Sequence, residues 1–125
     1  MSWLLVGIGG GIGAMLRFGI GRAIPREGVH TFPTATFAVN LTGAFLIGLI
    51  LGAIVERNVP HENWRLLLVV GLLGGYTTFS AFAWETISLI EANAWRTAAL
   101  YVVGTNLAGL AACAAGLAIA RLFIS

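Results

Sequence analysis

Four apolar segments, residues 2–24, 33–55, 64–90 and 97–124, take up almost the whole of this 125-residue chain. A bilayer core about 30 Å thick is crossed by roughly 20 apolar residues in a helix, so each segment is long enough to span. In hydrocarbon every backbone N–H and C=O must pair within its own segment, which makes each span a helix. The composition points the same way: 58% of residues are hydrophobic, 10% are charged and the mean hydropathy is +0.92, whereas soluble domains carry about 25% charged residues. The fold expected is an all-α membrane protein, a single four-helix domain over residues 1–125. It leaves no room for a soluble catalytic domain.

The links between spans carry the polar residues and the breakers. "REGVHTF" lies between Pro25 and Pro33, "ERNVPHEN" contains Pro60, and "EANAWR" makes a tight turn into the last span. Trp3, Trp64 and Trp95 fall at span ends, where amphipathic rings sit at headgroup level. The first arginine, Arg17, follows an apolar run instead of preceding one. That reverses the charge order of a secretory signal, so a retained first span is expected. The seven arginines and five glutamates are scattered singly and give a formal charge of +2, with no basic surface for nucleic acid. Cys113, the single cysteine, sits in "AACAAG" as a small packing residue.

Orientation follows the arginine and lysine bias between the two sides of the membrane. Arg57, Arg65 and Arg121 fall on one side, and Arg22, Arg26 and Arg96 on the other with Arg17 close by. Either other features set the topology or the chain inserts both ways. Oppositely inserted copies can pair about an axis in the membrane plane, as inverted repeats do in transporters. Four short spans enclose little volume by themselves, so a pathway would lie between subunits. An antiparallel, dual-topology homodimer is expected.

Small residues recur at helical spacing: Gly9, Gly13 and Gly21 in the first span; Ala44, Gly48 and Gly52 in the second; Gly104, Ala108, Ala112 and Gly116 in the fourth. Such lines let helix backbones approach closely in lipid. "GGGIGA" at 9–14 also fits the dinucleotide-binding pattern, but no strand precedes it. "NLT" at 40–42 lies inside a span, out of reach of glycosylation.

Polar groups inside spans usually face protein or water. Thr36, Asn40 and Gly43 share one helical face, where amide and hydroxyl donors can replace the water of an anion or simply bind helices together. Tyr101 and Thr105, with Asn106 beside them, extend such a stripe or pair across helices. Arg17 either raises anion concentration at a vestibule or caps a neighbouring helix. Glu85 lines a mouth or pairs with an arginine.

The third span is interrupted by "GGYTTFSAF", residues 74–82. Gly74 and Gly75 weaken a helix, while Thr77, Thr78 and Ser80 compete for its backbone hydrogen bonds. Irregular backbone at membrane depth must be buried or line a cavity, and its freed carbonyls can hold a small cation. The third helix is therefore expected to be broken near its middle. Phe79 and Phe82 lie on one face past the break. Phenylalanines at this spacing pack in most proteins, yet their electropositive edges can also meet an anion.

These residues resemble the Fluc (CrcB) family of small bacterial fluoride channels. The matching stretches are "GGYTTFSAF" followed by Glu85, "VNLTG" at 39–43, "GAMLRF" at 13–18, and Tyr101 with Thr105. The likeness covers essentially the whole chain. It implies a passive, selective channel in the bacterial inner membrane, formed by an antiparallel dimer with two fluoride pathways along its interface. Such a channel lets cytoplasmic fluoride leave after hydrofluoric acid has entered and dissociated. By the same resemblance, Phe79 and Phe82 turn ring edges to fluoride, Asn40 is the pore asparagine, and Thr36, Ser80, Tyr101 and Thr105 belong to a polar track. Arg17 lies near a vestibule. Backbone carbonyls of Gly74 and Thr77 from both subunits hold a structural sodium ion that is not transported. Gly109, Ala81 and Asn106 depart from common family residues.

Two other readings compete. A small dual-topology drug/proton exchanger also has four short spans, but its chemistry needs a membrane-embedded carboxylate, commonly in the first span, and the first span has none. A non-transporting scaffold accounts for the glycine lines but not for the polar face. No nucleophile, base and orienting group occur together, so an enzyme is not expected.

Overall fold

The computed structural model describes residues 1–58 and 62–124. Helix α1 runs Ser2–Ala23 and α2 runs Thr34–Arg57. The third span, Glu62–Glu91, is in two pieces. Its first piece, α3, covers residues 62–76, and its second, α4, covers Phe79–Glu91. The last helix, α5, is Trp95–Ile124. Among the described residues, four helical units are long and apolar enough to cross a membrane.

The helix ends follow local chemistry. The chain leaves α1 at Ile24, directly before Pro25, whose ring disfavours the helical conformation in the residue ahead of it. Pro33 stands at the N-cap of α2. Asn58, after α2, takes a left-handed conformation with φ of 48°. Helix α4 ends in a Schellman arrangement: Asn93 has φ of 61°, its N–H donates to the Ile90 carbonyl at 3.0 Å, and Ala94 N–H donates to that of Leu89 at 2.8 Å. Pro60, expected as the breaker of the second loop, lies outside the described residues.

Helix α1 packs along α3, and α2 along α5. A Cβ added to Gly9 would lie 2.8 Å from Leu72 N, and one on Gly13 would lie 2.8 Å from Tyr76 N. One on Gly116 would lie 2.8 Å from Leu49 N, and one on Gly52 2.7 Å from the Ala120 methyl. In each pair residue numbers rise together, so the partners run parallel, as alternate spans of an up-and-down bundle must. Backbone thus meets backbone through the small residues, as close packing in lipid requires. Gly21 departs from the expected seam and faces open space. Gly13 already meets Tyr76, the last residue of α3; two turns further along α1, Gly21 lines a small cleft with Thr36, Thr78 and Ala81 instead of making a backbone contact.

Two further features differ from the sequence reading. Gly74–Tyr76 stays helical, and the interruption falls at Thr77 and Thr78. Gly75 serves contact instead: its Cβ would lie 2.9 Å from Gly10 Cα. Residues Arg65–Leu73 form a π-helix, a wider turn often found at functional sites. "RLLLVVGLL" is apolar nearly throughout, so it has no polar marks from which a turn period can be read.

The interior is small. Val39, Leu73 and Tyr76 form one buried cluster, and Leu89, Ala98 and Tyr101 another. Large side chains such as Phe79, Leu107, Leu110 and Leu122 point outward. In a membrane this costs nothing, because lipid is as apolar as leucine.

Candidate functional site at the interrupted span

The break is built by side chains that redirect backbone hydrogen bonds. Thr77 sends both its N–H (3.0 Å) and its hydroxyl (2.9 Å) to the Leu73 carbonyl. The chain then extends, with ψ of 156° at Thr77 and 114° at Thr78. Asn40 reaches across from α2 to hold it. Its Oδ1 accepts Thr78 N–H at 2.9 Å, and its Nδ2 donates to the Thr78 carbonyl at 3.1 Å. The amide thus pairs with a backbone unit as a neighbouring strand would. Thr78 Oγ1 accepts Ala81 N–H at 3.1 Å and caps α4.

These diversions bear on the carbonyls of Gly74 and Thr77. In a continuous helix they would receive Thr78 N–H and Ala81 N–H, four residues on. Those two amides go to Asn40 Oδ1 and Thr78 Oγ1. Carbonyl oxygens released from a helix are hard donors suited to a small cation. Among the described residues, no group of three or more His, Cys, Asp and Glu side chains is placed to hold a metal. Any cation here would rest on such backbone oxygens.

At the break a groove of about 390 Å³ opens between α2, the interrupted third span and α5. It brings together Asn40, Thr77, Phe79, Phe82, Thr105 and Asn106. Phe79 is 79% exposed, and its ring centroid lies 5.7 Å from that of Phe82. Phe82 in turn packs 5.0 Å from Tyr101. Thr105 Oγ1 is buried with no hydrogen-bond partner among the described residues. Such an orphan costs free energy unless something polar meets it.

Thr36, Tyr101 and Glu85 assemble separately. The carboxylate of Glu85 accepts Thr36 Oγ1 at 3.0 Å and Tyr101 OH at 3.2 Å. It also lines a cleft of about 220 Å³ beneath the first loop, together with Arg26 and Glu27. Arg26 closes this loop by donating to the Thr31 and Val29 carbonyls at 3.1 and 3.0 Å. Ser80 is exposed beside Thr78, 3.4 Å between hydroxyls. Arg17 donates Nε to the Gly75 carbonyl at 3.3 Å. Its charge therefore stands at the C-terminal end of α3, where a cation complements the helix dipole. The same arginine lines a small cleft with Thr36 and Thr78.

The partners of Asn40 and Glu85 were missed by the sequence reading. Thr78 lies 38 positions from Asn40, and Thr36 lies 49 from Glu85. Helical periodicity reports faces within one span and is silent about which faces meet.

The four spans, the break and the groove define a small multi-pass helical membrane protein. Within that class the chain belongs to the CrcB family: the family model described as CrcB-like protein, Camphor Resistance (CrcB), matches residues 4–117. It is similar to the "Fluoride-specific ion channel FluC" of Solibacter usitatus, 43% identical over 97% of this chain and 99% of that one. The protein of the same name from Methylobacterium nodulans is 42% identical over 98% of each chain. That of Chloroflexus aurantiacus is 42% identical over 96% of this chain and 95% of the relative. The family is one of ion channels and not of enzymes.

Proposed function

We propose that the chain forms a fluoride-selective channel for passive exit of cytoplasmic fluoride through the bacterial inner membrane. Two copies in opposite orientation make two pathways along their interface, with one structural sodium ion between them. The observation that carries this reading is the groove at the break, where amide and hydroxyl donors stand beside a pair of phenylalanine rings. A channel must replace the water its ion gives up. Asn40 retains one amide N–H after bonding Thr78, and the buried Thr105 hydroxyl has no partner among the described residues. The edges of Phe79 and Phe82 add partial positive charge without adding a fixed cation. That combination favours a small anion yet leaves it free to move on.

The dimer reading is supported by Phe79, which lines the groove and yet is exposed on the single subunit. The balance of arginines between the two membrane faces supports opposite insertion. The carbonyls of Gly74 and Thr77, whose helical donors are diverted to Asn40 Oδ1 and Thr78 Oγ1, have the chemistry to hold a sodium ion, which would offset the partial negative charge of the oxygens brought together by two subunits.

The decisive test is efflux from liposomes loaded with fluoride and chloride. Purified protein should release fluoride rapidly and retain chloride; equal chloride release, or no fluoride release, refutes the assignment. Exchange of sodium for a large organic cation should lower dimer stability, since an ion bound only to the folded state stabilises it. Unchanged dimer stability and flux would remove the sodium site.

A further inference from the structure

Asn106 stands on the groove wall, one residue beyond Thr105 on α5. Successive helical residues are turned about 100° apart, so both line one groove only because it wraps a wide arc of the helix. Asn106 Nδ2 donates to the Val102 carbonyl at 2.7 Å, one turn back. This bond holds the side chain along the helix and uses one of two amide hydrogens. On the facing helix, Asn40 has committed one N–H and its Oδ1 to Thr78. Each asparagine therefore keeps one amide N–H outside these bonds, and Thr105, whose Oγ1 is buried without a partner among the described residues, lines the same groove.

We infer that Asn106 is a further anion-binding and specificity-determining residue of the pathway, supplying a second pore amide from α5. The inference rests on the channel reading above. Asn40 also holds the break, so its amide has limited freedom to follow a passing ion; Asn106 is anchored only to its own helix. The occupant is a small, strongly hydrated monovalent anion, which gains most from an extra N–H donor.

The test compares parent, Asn106→Leu and Asn106→Gln in fluoride efflux from liposomes, with unfolding midpoints measured in the same detergent. Leucine conserves bulk and removes the donor, so fluoride flux should fall about ten- to a hundredfold, the effect of one lost hydrogen bond to a charged group. The unfolding midpoint should be unchanged, and glutamine, which keeps both donors, should retain at least half the parent flux. Leucine flux within twofold of the parent overturns the inference. So does a loss matched by a lower midpoint and not restored by glutamine, which would make Asn106 a packing residue. Should the leucine variant not assemble, Asn106→Ala is read in its place. A parent that passes no fluoride removes the channel reading as well; a conducting parent with an indifferent leucine variant removes this one alone.

Discussion

Replacing Asn40 by alanine removes two bonds with one change, those of 2.9 and 3.1 Å to the Thr78 backbone. The Thr78 N–H then has no partner, because its helical acceptor, the Gly74 carbonyl, lies beyond the bend. Side-chain bonds between membrane helices are worth about 0.6 kcal/mol on average and up to about 1.7, so two of them set a loss of about 1–3 kcal/mol. Thr78 is half-buried, which places the cost toward the upper part of that range. The measurement is an unfolding titration in mixed detergent, paired with fluoride efflux from liposomes. On the channel reading flux should fall as well, since the same change deletes an amide donor from a residue that lines the groove. Asn40→Asp separates the two roles. It keeps an acceptor for Thr78 N–H but cannot donate to the Thr78 carbonyl, and it brings negative charge to an anion path. This variant should recover part of the stability and none of the flux. An alanine variant with the parent's unfolding midpoint would refute the splint, whatever happens to the flux.

Adjacent glycines should differ. At Gly74 an added Cβ meets nothing closer than 3.8 Å within the subunit, whereas at Gly75 it lies 2.9 Å from Gly10 Cα. In unfolding titrations Gly75→Ala should destabilise by about 1–3 kcal/mol, while Gly74→Ala should stay within about 1 kcal/mol of the parent. Phe82→Ile removes a ring packed 5.0 Å from Tyr101 and 5.7 Å from Phe79, so fluoride efflux should slow while elution on size exclusion stays that of the parent. Thr36→Val combined with Tyr101→Phe removes both hydroxyl donors of Glu85. Each donor to a charged group is worth about 1.5–3 kcal/mol, and the pair should give a clearly lower unfolding midpoint, with each single variant between.

Much of the architecture was legible because lipid imposes simple rules. Span length follows from bilayer thickness, and polar residues inside a span stand out against an apolar background. Gly9, Gly13 and Gly116 could be picked out by spacing, and the hydroxyl-rich "YTTFS" by its competition with the helix. The exact place of the break could not. Gly75 looks like a helix breaker in isolation, and only the Gly10 backbone beside it makes it a contact residue. Arg17 is similar: nothing in the sequence joins it to Gly75, whose carbonyl accepts its Nε at 3.3 Å.

By itself, then, the sequence determined four membrane-length helices, an interruption within the third, and donors and rings on faces around it. These depend on hydrophobicity, periodicity and local hydrogen-bond competition, all of which act within a few residues. The tertiary structure decided that Asn40 holds Thr78, that Glu85 gathers Thr36 and Tyr101, and that the buried Thr105 hydroxyl has no partner among the described residues. Those pairings join different spans, and which helix faces meet is set by how backbones fit at small residues, a property no single span contains.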